Sequence, residues 1–72
     1  MSNFPSRVRE CRETKGFTQK QMATEIGVSE ILWRQYESGK RTPTYDRLLK
    51  LADYFGVTLD YLVGRSDDPT RR

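Results

Sequence analysis

The chain has 72 residues, a formal net charge of +3, one cysteine and no histidine. That length holds a single small domain whose modest core must supply the stability, helped by a partner subunit if there is one. Cys11 has no internal disulfide partner and there is no Cys/His cluster, so neither a structural metal nor a cofactor is expected, and a lone thiol suits a reducing cytosol, the expected location.

Five glycines, Gly16, Gly27, Gly39, Gly56 and Gly64, divide the chain into segments of helical periodicity, with no convincing strand alternation. The expected fold is therefore all-α, with five helices. The first starts near Asn3 or Ser6, with Pro5 tolerated in its first turn. Phe4, Val8 and Cys11 follow at i, i+4, i+7 as a core stripe, and Arg7, Arg9, Glu10, Glu13 and Lys15 take the solvated side. Cys11 reads as a small core residue before it reads as a reactive thiol. Thr18 is a good N-cap, and Gln21 three residues on completes a capping box, with Phe17 placed to staple the entry. Met22, Ala23 and Ile26 recur at helical spacing until Gly27 stops the second helix. Ser29 caps a third helix only two residues later. Helices so close in sequence cross steeply, and Ala23 supplies a small residue at the crossing.

After Ser38-Gly39-Lys40-Arg41, a short basic turn, Thr44 caps a fourth helix. Tyr45, Leu48, Leu49, Leu51, Ala52 and Phe55 make it the most apolar of the set, and it should be the main core contributor behind the central pair. Thr58 caps a short fifth helix carrying Tyr61, Leu62 and Val63, with Asp60 in its first turn to suit the helix dipole. The domain is placed at residues 1–66 and a flexible tail at 67–72. No apolar run approaches the ~20 residues of a membrane span, and Met1 to Phe4 lacks the make-up of a signal peptide.

Gln19, Ala23, Gly27, Trp33 and Tyr36 fall on the pattern of the helix-turn-helix in phage repressors, and Tyr36-Glu37-Ser38-Gly39-Lys40 resembles the Y-E-x-G-K signature that follows it. From about Arg7 to Leu62 the chain resembles the Xre-type family that includes lambda repressor and Cro. Trp33 stands where that family usually has isoleucine or valine. The resemblance implies a phage-repressor-like fold with a central helix-turn-helix. It also implies a buried ion pair between Arg12 and Glu37, and a loop, Ser38 to Arg41, that grips the sugar-phosphate backbone.

The chemistry available agrees with binding and not with catalysis. There is no Ser–His or Cys–His pairing, no metal-ligand spacing and no phosphate-cradling glycine loop. The paired carboxylates Asp67-Asp68 lie in the expected tail, so no enzyme is expected. Residues 1–41 hold eight Lys and Arg against five acidic residues, whereas residues 42–72 hold five against five. An excess on the half with the crossing helices is the footprint of a nucleic-acid surface, although +3 also falls within ordinary variation.

Winding Ser29 to Ser38 at ~100° per residue puts Ser29, Trp33 and Tyr36 toward the core and Ile31, Arg34, Gln35 and Ser38 roughly opposite. Arg34 can bond guanine O6 and N7, Gln35 adenine N6 and N7, and Ile31 can touch a thymine methyl. Glu30 either accepts from cytosine N4 or is simply a favourable charge in a first turn. Ile31 and Leu32 are more apolar than a groove face requires: they are methyl contacts in a T-rich site, a protein-binding patch, or, for Leu32, partly buried through a helix rotation set by Trp33. Gln19 opens the second helix, where free N–H groups and the dipole attract a phosphate. The candidate base readers are thus Glu30, Ile31, Arg34 and Gln35, and the candidate phosphate ligands Gln19, Ser38, Lys40 and Arg41. The function expected is a sequence-specific double-stranded-DNA-binding transcriptional regulator, a repressor before an activator. A homodimer, on DNA if not free, would take a palindromic operator, with Leu59, Tyr61 and Leu62 of the fifth helix and exposed parts of the fourth as the candidate contacts. The competing expectation is a protein-interaction module, an antitoxin or adaptor, using the same fold.

Overall fold

The computed structural model describes residues 3–70. Five helices follow one another: α1 (Phe4–Thr14), α2 (Gln19–Ile26), α3 (Glu30–Ser38), α4 (Tyr45–Phe55) and α5 (Leu59–Leu62). There is no strand among the described residues, so the all-α expectation holds. The N-caps are as read from the sequence. The Thr18 hydroxyl accepts from the Gln21 N–H at 3.1 Å while the Gln21 side chain accepts from the Thr18 N–H at 2.8 Å, a complete capping box. Ser29, Thr44 and Thr58 accept in the same way from Leu32, Arg47 and Tyr61.

Gly27 ends α2 at φ +83°, a left-handed conformation that a side chain resists. The Val28 N–H then reaches back to the Ala23 carbonyl at 2.9 Å. The turn closes within three residues, which is what forces α2 and α3 to cross. Ala23, 2% exposed, lets the crossing be close. Lys50 donates from α4 to the Ile26 carbonyl at 3.3 Å and so supplies a cation at the negative end of α2.

The core is built of Phe4 and Val8 from α1, Met22, Ala23 and Ile26 from α2, Trp33 and Tyr36 from α3, Leu48, Leu51 and Ala52 from α4, and Val57 and Leu62. Its centre is aromatic. Tyr36 meets Phe4 and Trp33 edge-on, with ring centroids 6.5 Å and 6.0 Å apart. Leu32 packs against this cluster from the side, the outcome expected from a rotation set by Trp33.

Five expectations need correction. Cys11 is only half buried, because it lines an open groove with Phe55, Val57 and Tyr61 instead of facing a closed core. Ser29 is exposed, since its hydroxyl is turned to the mouth of α3 as a cap. Arg7 is not on the solvated side. Its guanidinium lies 4.0 Å over the Tyr61 ring and donates to the Tyr61 and Ser66 carbonyls and to the Asp67 carboxylate, so it clamps the end of α5 to α1. The fourth helix shares the core with α2 instead of dominating it, because Tyr45 and Leu49 stay exposed. Leu62, grouped with Leu59 and Tyr61 as dimer contacts, has no exposed surface and belongs to the core. Of the tail expected at 67–72, Asp67 is the residue Arg7 holds, while Arg71 and Arg72 lie outside the described residues.

Candidate nucleic-acid interface

Trp33 and Tyr36 fix the rotation of α3 by burying its inner face. Ile31, 70% exposed, and Arg34 are left on the outer face, with Gln35 half exposed beside them. Ile31, Arg34, Gln35, Ser38 and Lys40 line one shallow concavity on that face. Three of the four expected base readers and two of the expected phosphate ligands therefore share a surface. Arg41 is exposed next to it, and its backbone N–H bonds the Gln35 carbonyl at 3.2 Å, which ties the basic loop to the helix. Gly39 makes the loop possible by taking φ +83° at the end of α3. Ser38 turns its hydroxyl onto the Gln35 carbonyl at 3.2 Å.

Glu30 lies one turn before Arg34, and their side chains meet at 2.6 Å between Oε2 and Nη2. The two are 36% and 61% exposed, so in water the contact contributes only ~0.3–0.5 kcal/mol. It holds the guanidinium toward the Glu30 end of α3 in this structure.

The anchor of the interface is Glu37. Arg12 grips its carboxylate through both fork positions, Nε to Oε2 at 2.6 Å and Nη2 to Oε1 at 3.2 Å. The Trp33 indole N–H also donates to Oε2, and the Gln19 carboxamide to Oε1 at 3.2 Å. Two oxygens thus accept four hydrogen bonds, which uses their full capacity. The pair is nearly out of solvent, with Arg12 12% and Glu37 5% exposed. The hydrogen bond to Glu37 pushes the Arg12 guanidinium above its already high value, so it is permanently charged. A remaining Arg12 proton bonds the Phe17 carbonyl at 2.8 Å. One carboxylate therefore locks the end of α1, the start of α2 and the last turn of α3 together. The ion pair implied by the family resemblance is present.

The sequence reading missed the part of Trp33 in this lock. The signal was available in the i, i+4 spacing of Trp33 and Glu37, which puts a donor and an acceptor on one stripe. Gln19 was expected at a phosphate, and its side chain instead faces Glu37. Ahead of the Met22-to-Thr18 bond that opens the helix ladder, the Gln21 N–H is taken by the Thr18 hydroxyl, which leaves the Gln19 and Lys20 N–H groups outside the ladder.

The α2–turn–α3 unit, the capping pattern and the basic loop define a helix-turn-helix protein, and the chain belongs to the helix-turn-helix domain family, which it matches over residues 6–67. It is similar to an uncharacterized HTH-type transcriptional regulator, YobD, of Bacillus subtilis, at 35% identity over 66 residues that make up 92% of this chain and 59% of the relative. It is similar to the CTXphi transcriptional repressor RstR of Vibrio cholerae, at 48% identity over 48 residues, 67% of this chain and 43% of the relative. A third relative, the HTH-type transcriptional activator BcrR of Enterococcus faecalis, is 33% identical over 60 residues, 83% of this chain and 29% of the relative. The chain thus spans about half the length, or less, of these curated relatives. The matches bear out the phage-repressor resemblance read from Gln19, Ala23, Gly27, Trp33 and Tyr36.

Proposed function

We infer that this chain binds double-stranded DNA at a specific sequence as a transcriptional regulator, with α3 in the major groove, and that it represses. The observation that carries this reading is the division of α3. Trp33 and Tyr36 anchor one face, while Ile31, Arg34 and Gln35 stand together on the other, continuous with Ser38, Lys40 and Arg41. An α-helix fits the major groove, and those outer side chains are types that distinguish base pairs there. Lys40 and Arg41 supply charge for phosphates, and the Gln19 and Lys20 N–H groups at the start of α2 supply donors. The proposed activity is binding.

One α3 covers only a few base pairs, too few to single out a site in a genome. Two copies on a palindromic operator, with half-sites about one turn or ~34 Å apart, supply the rest. Leu59 and Tyr61 of α5 and the exposed Tyr45 and Leu49 of α4 are the apolar surface left for that pairing. Repression follows the phage relative RstR, while the activator BcrR marks the opposite sign as the outcome to test for. Among the described residues no helix is long and apolar enough to cross a membrane, and the cytoplasm is the proposed location. The test is selection of bound sequences from a random duplex library, followed by a reporter carrying the selected site at a promoter. One enriched palindrome and lowered reporter output support the reading. No enrichment would reject it, and raised output would reject repression.

A further inference from the structure

We propose that Glu30 is a positioning residue that sets the base preference of Arg34 without reading a base itself. This rests on the reading of α3 as the groove-entering helix. Glu30 opens α3 and Arg34 lies one turn on, the order in which an i, i+4 pair draws the guanidinium back toward the helix N-terminus. In a helix-turn-helix that end of the reading helix carries the residues that reach base edges. The bond runs from Nη2 to Oε2 at 2.6 Å. A guanidinium has five donors in a fixed fork, so one bond to Glu30 leaves the parallel pair that guanine O6 and N7 require.

The charge balance points the same way. Arg34 is 61% exposed on a long side chain, and at a duplex its nearest alternative acceptors are phosphates. A phosphate is the same at every base pair, so an arginine that drifts to one contributes affinity and no discrimination. The Glu30 carboxylate opposes that drift twice. It occupies one edge of the guanidinium, and its negative charge repels the backbone. Its Oε2 is already committed to Arg34. Water excluded at a formed interface would harden a pair that is weak in free solution.

Binding-site selection on Glu30→Gln, Arg34→Ala and the double variant tests this, with affinity for random-sequence duplex read across a salt series. Glu30 is a surface residue, so folding is checked by circular dichroism only as a control. The expected result has three parts. Glu30→Gln lowers preference roughly tenfold at the same base pair that Arg34→Ala affects. It tightens binding to random duplex and steepens the salt slope by up to about one unit, because Arg34 is released to phosphate. In the Arg34→Ala background, Glu30→Gln changes preference at no base pair. Loss of preference at a different base pair, additive in the double variant, would overturn the proposal and make Glu30 a reader. Unchanged preference and salt slope would overturn it by reducing the pair to a surface contact. A parent protein that enriches no site would instead reject the DNA-reading function itself.

Discussion

Glu37 accepts from Arg12, Trp33 and Gln19 while almost out of water, and its loss should be the most damaging polar change in the molecule. A buried pair contributes modestly when intact, but removing one partner leaves an uncompensated charge at about 3–5 kcal/mol. A domain of this size has only ~5–10 kcal/mol in total. Glu37→Ala and Arg12→Ala should each lower the melting temperature by well over ten degrees, at ~4–8 °C per kcal/mol. Trp33→Phe, which keeps a ring and drops the indole donor, should fall between these and the parent. Glu13→Ala, whose carboxylate meets Arg9 at 3.6 Å in the open, should change little; equal small effects from all four would show that the lock contributes nothing. Cys11 provides a second residue-scale expectation, with a sign. Burial, then Glu10, push its thiol above the ordinary value, against an opposing pull from Arg7. A thiol held neutral in the fold adds stability below about pH 9 that is lost as pH rises past the folded value. Alkylation at pH 8 should therefore be several times slower in the folded than in the unfolded protein, and equal rates would contradict it.

The helices show how far local signals reach. Thr18, Ser29, Thr44 and Thr58 cap where the sequence places them, because a cap is a contact between residues three apart and needs nothing from the rest of the chain. The same is true of Gly27 and Gly56 at positive φ. What periodicity could not give was contact between residues far apart in sequence. Arg7 falls on a polar stripe of α1, yet it reaches the carbonyls of Tyr61 and Ser66 more than fifty residues away. Cys11 sits on the apolar stripe, yet Phe55, Val57 and Tyr61, far from it in sequence, share an open groove with it and leave it half buried. The outer face of α3 was legible because Trp33 and Tyr36 define the inner one. The Glu30–Arg34 contact was also within reach of an i, i+4 reading. At the element scale the loop after α3 should behave unlike α3 itself. Lys40→Ala or Arg41→Ala should weaken all duplexes about equally and reduce the salt slope by about one unit or less. Gln19→Ala should weaken binding through the α2–α3 geometry and leave that slope unchanged. A base-dependent loss from Lys40→Ala would contradict the assignment.

Across the whole molecule, the positive excess lies in residues 1–41, the half that carries α2, α3 and the basic loop, which suits an approach to DNA led by that side. Pairing is the expected consequence of a small reading surface. Sedimentation of the protein with its selected duplex should show two protomers per site, even where the free protein sediments as a monomer, and one protomer per site would reject the palindrome. All of this depends on the claim that the outer face of α3 reads bases while its flanks only grip phosphates. The most direct measurement is base preference, position by position, for the parent, Arg34→Ala and Lys40→Ala on the selected site and its single-base variants. Arg34→Ala should lose ~1–3 kcal/mol on the preferred site and relax preference at one base pair, with non-specific binding nearly intact, while Lys40→Ala keeps the full preference at lower affinity. If Arg34→Ala instead lowers affinity uniformly and leaves the preference untouched, α3 does not read DNA through this face.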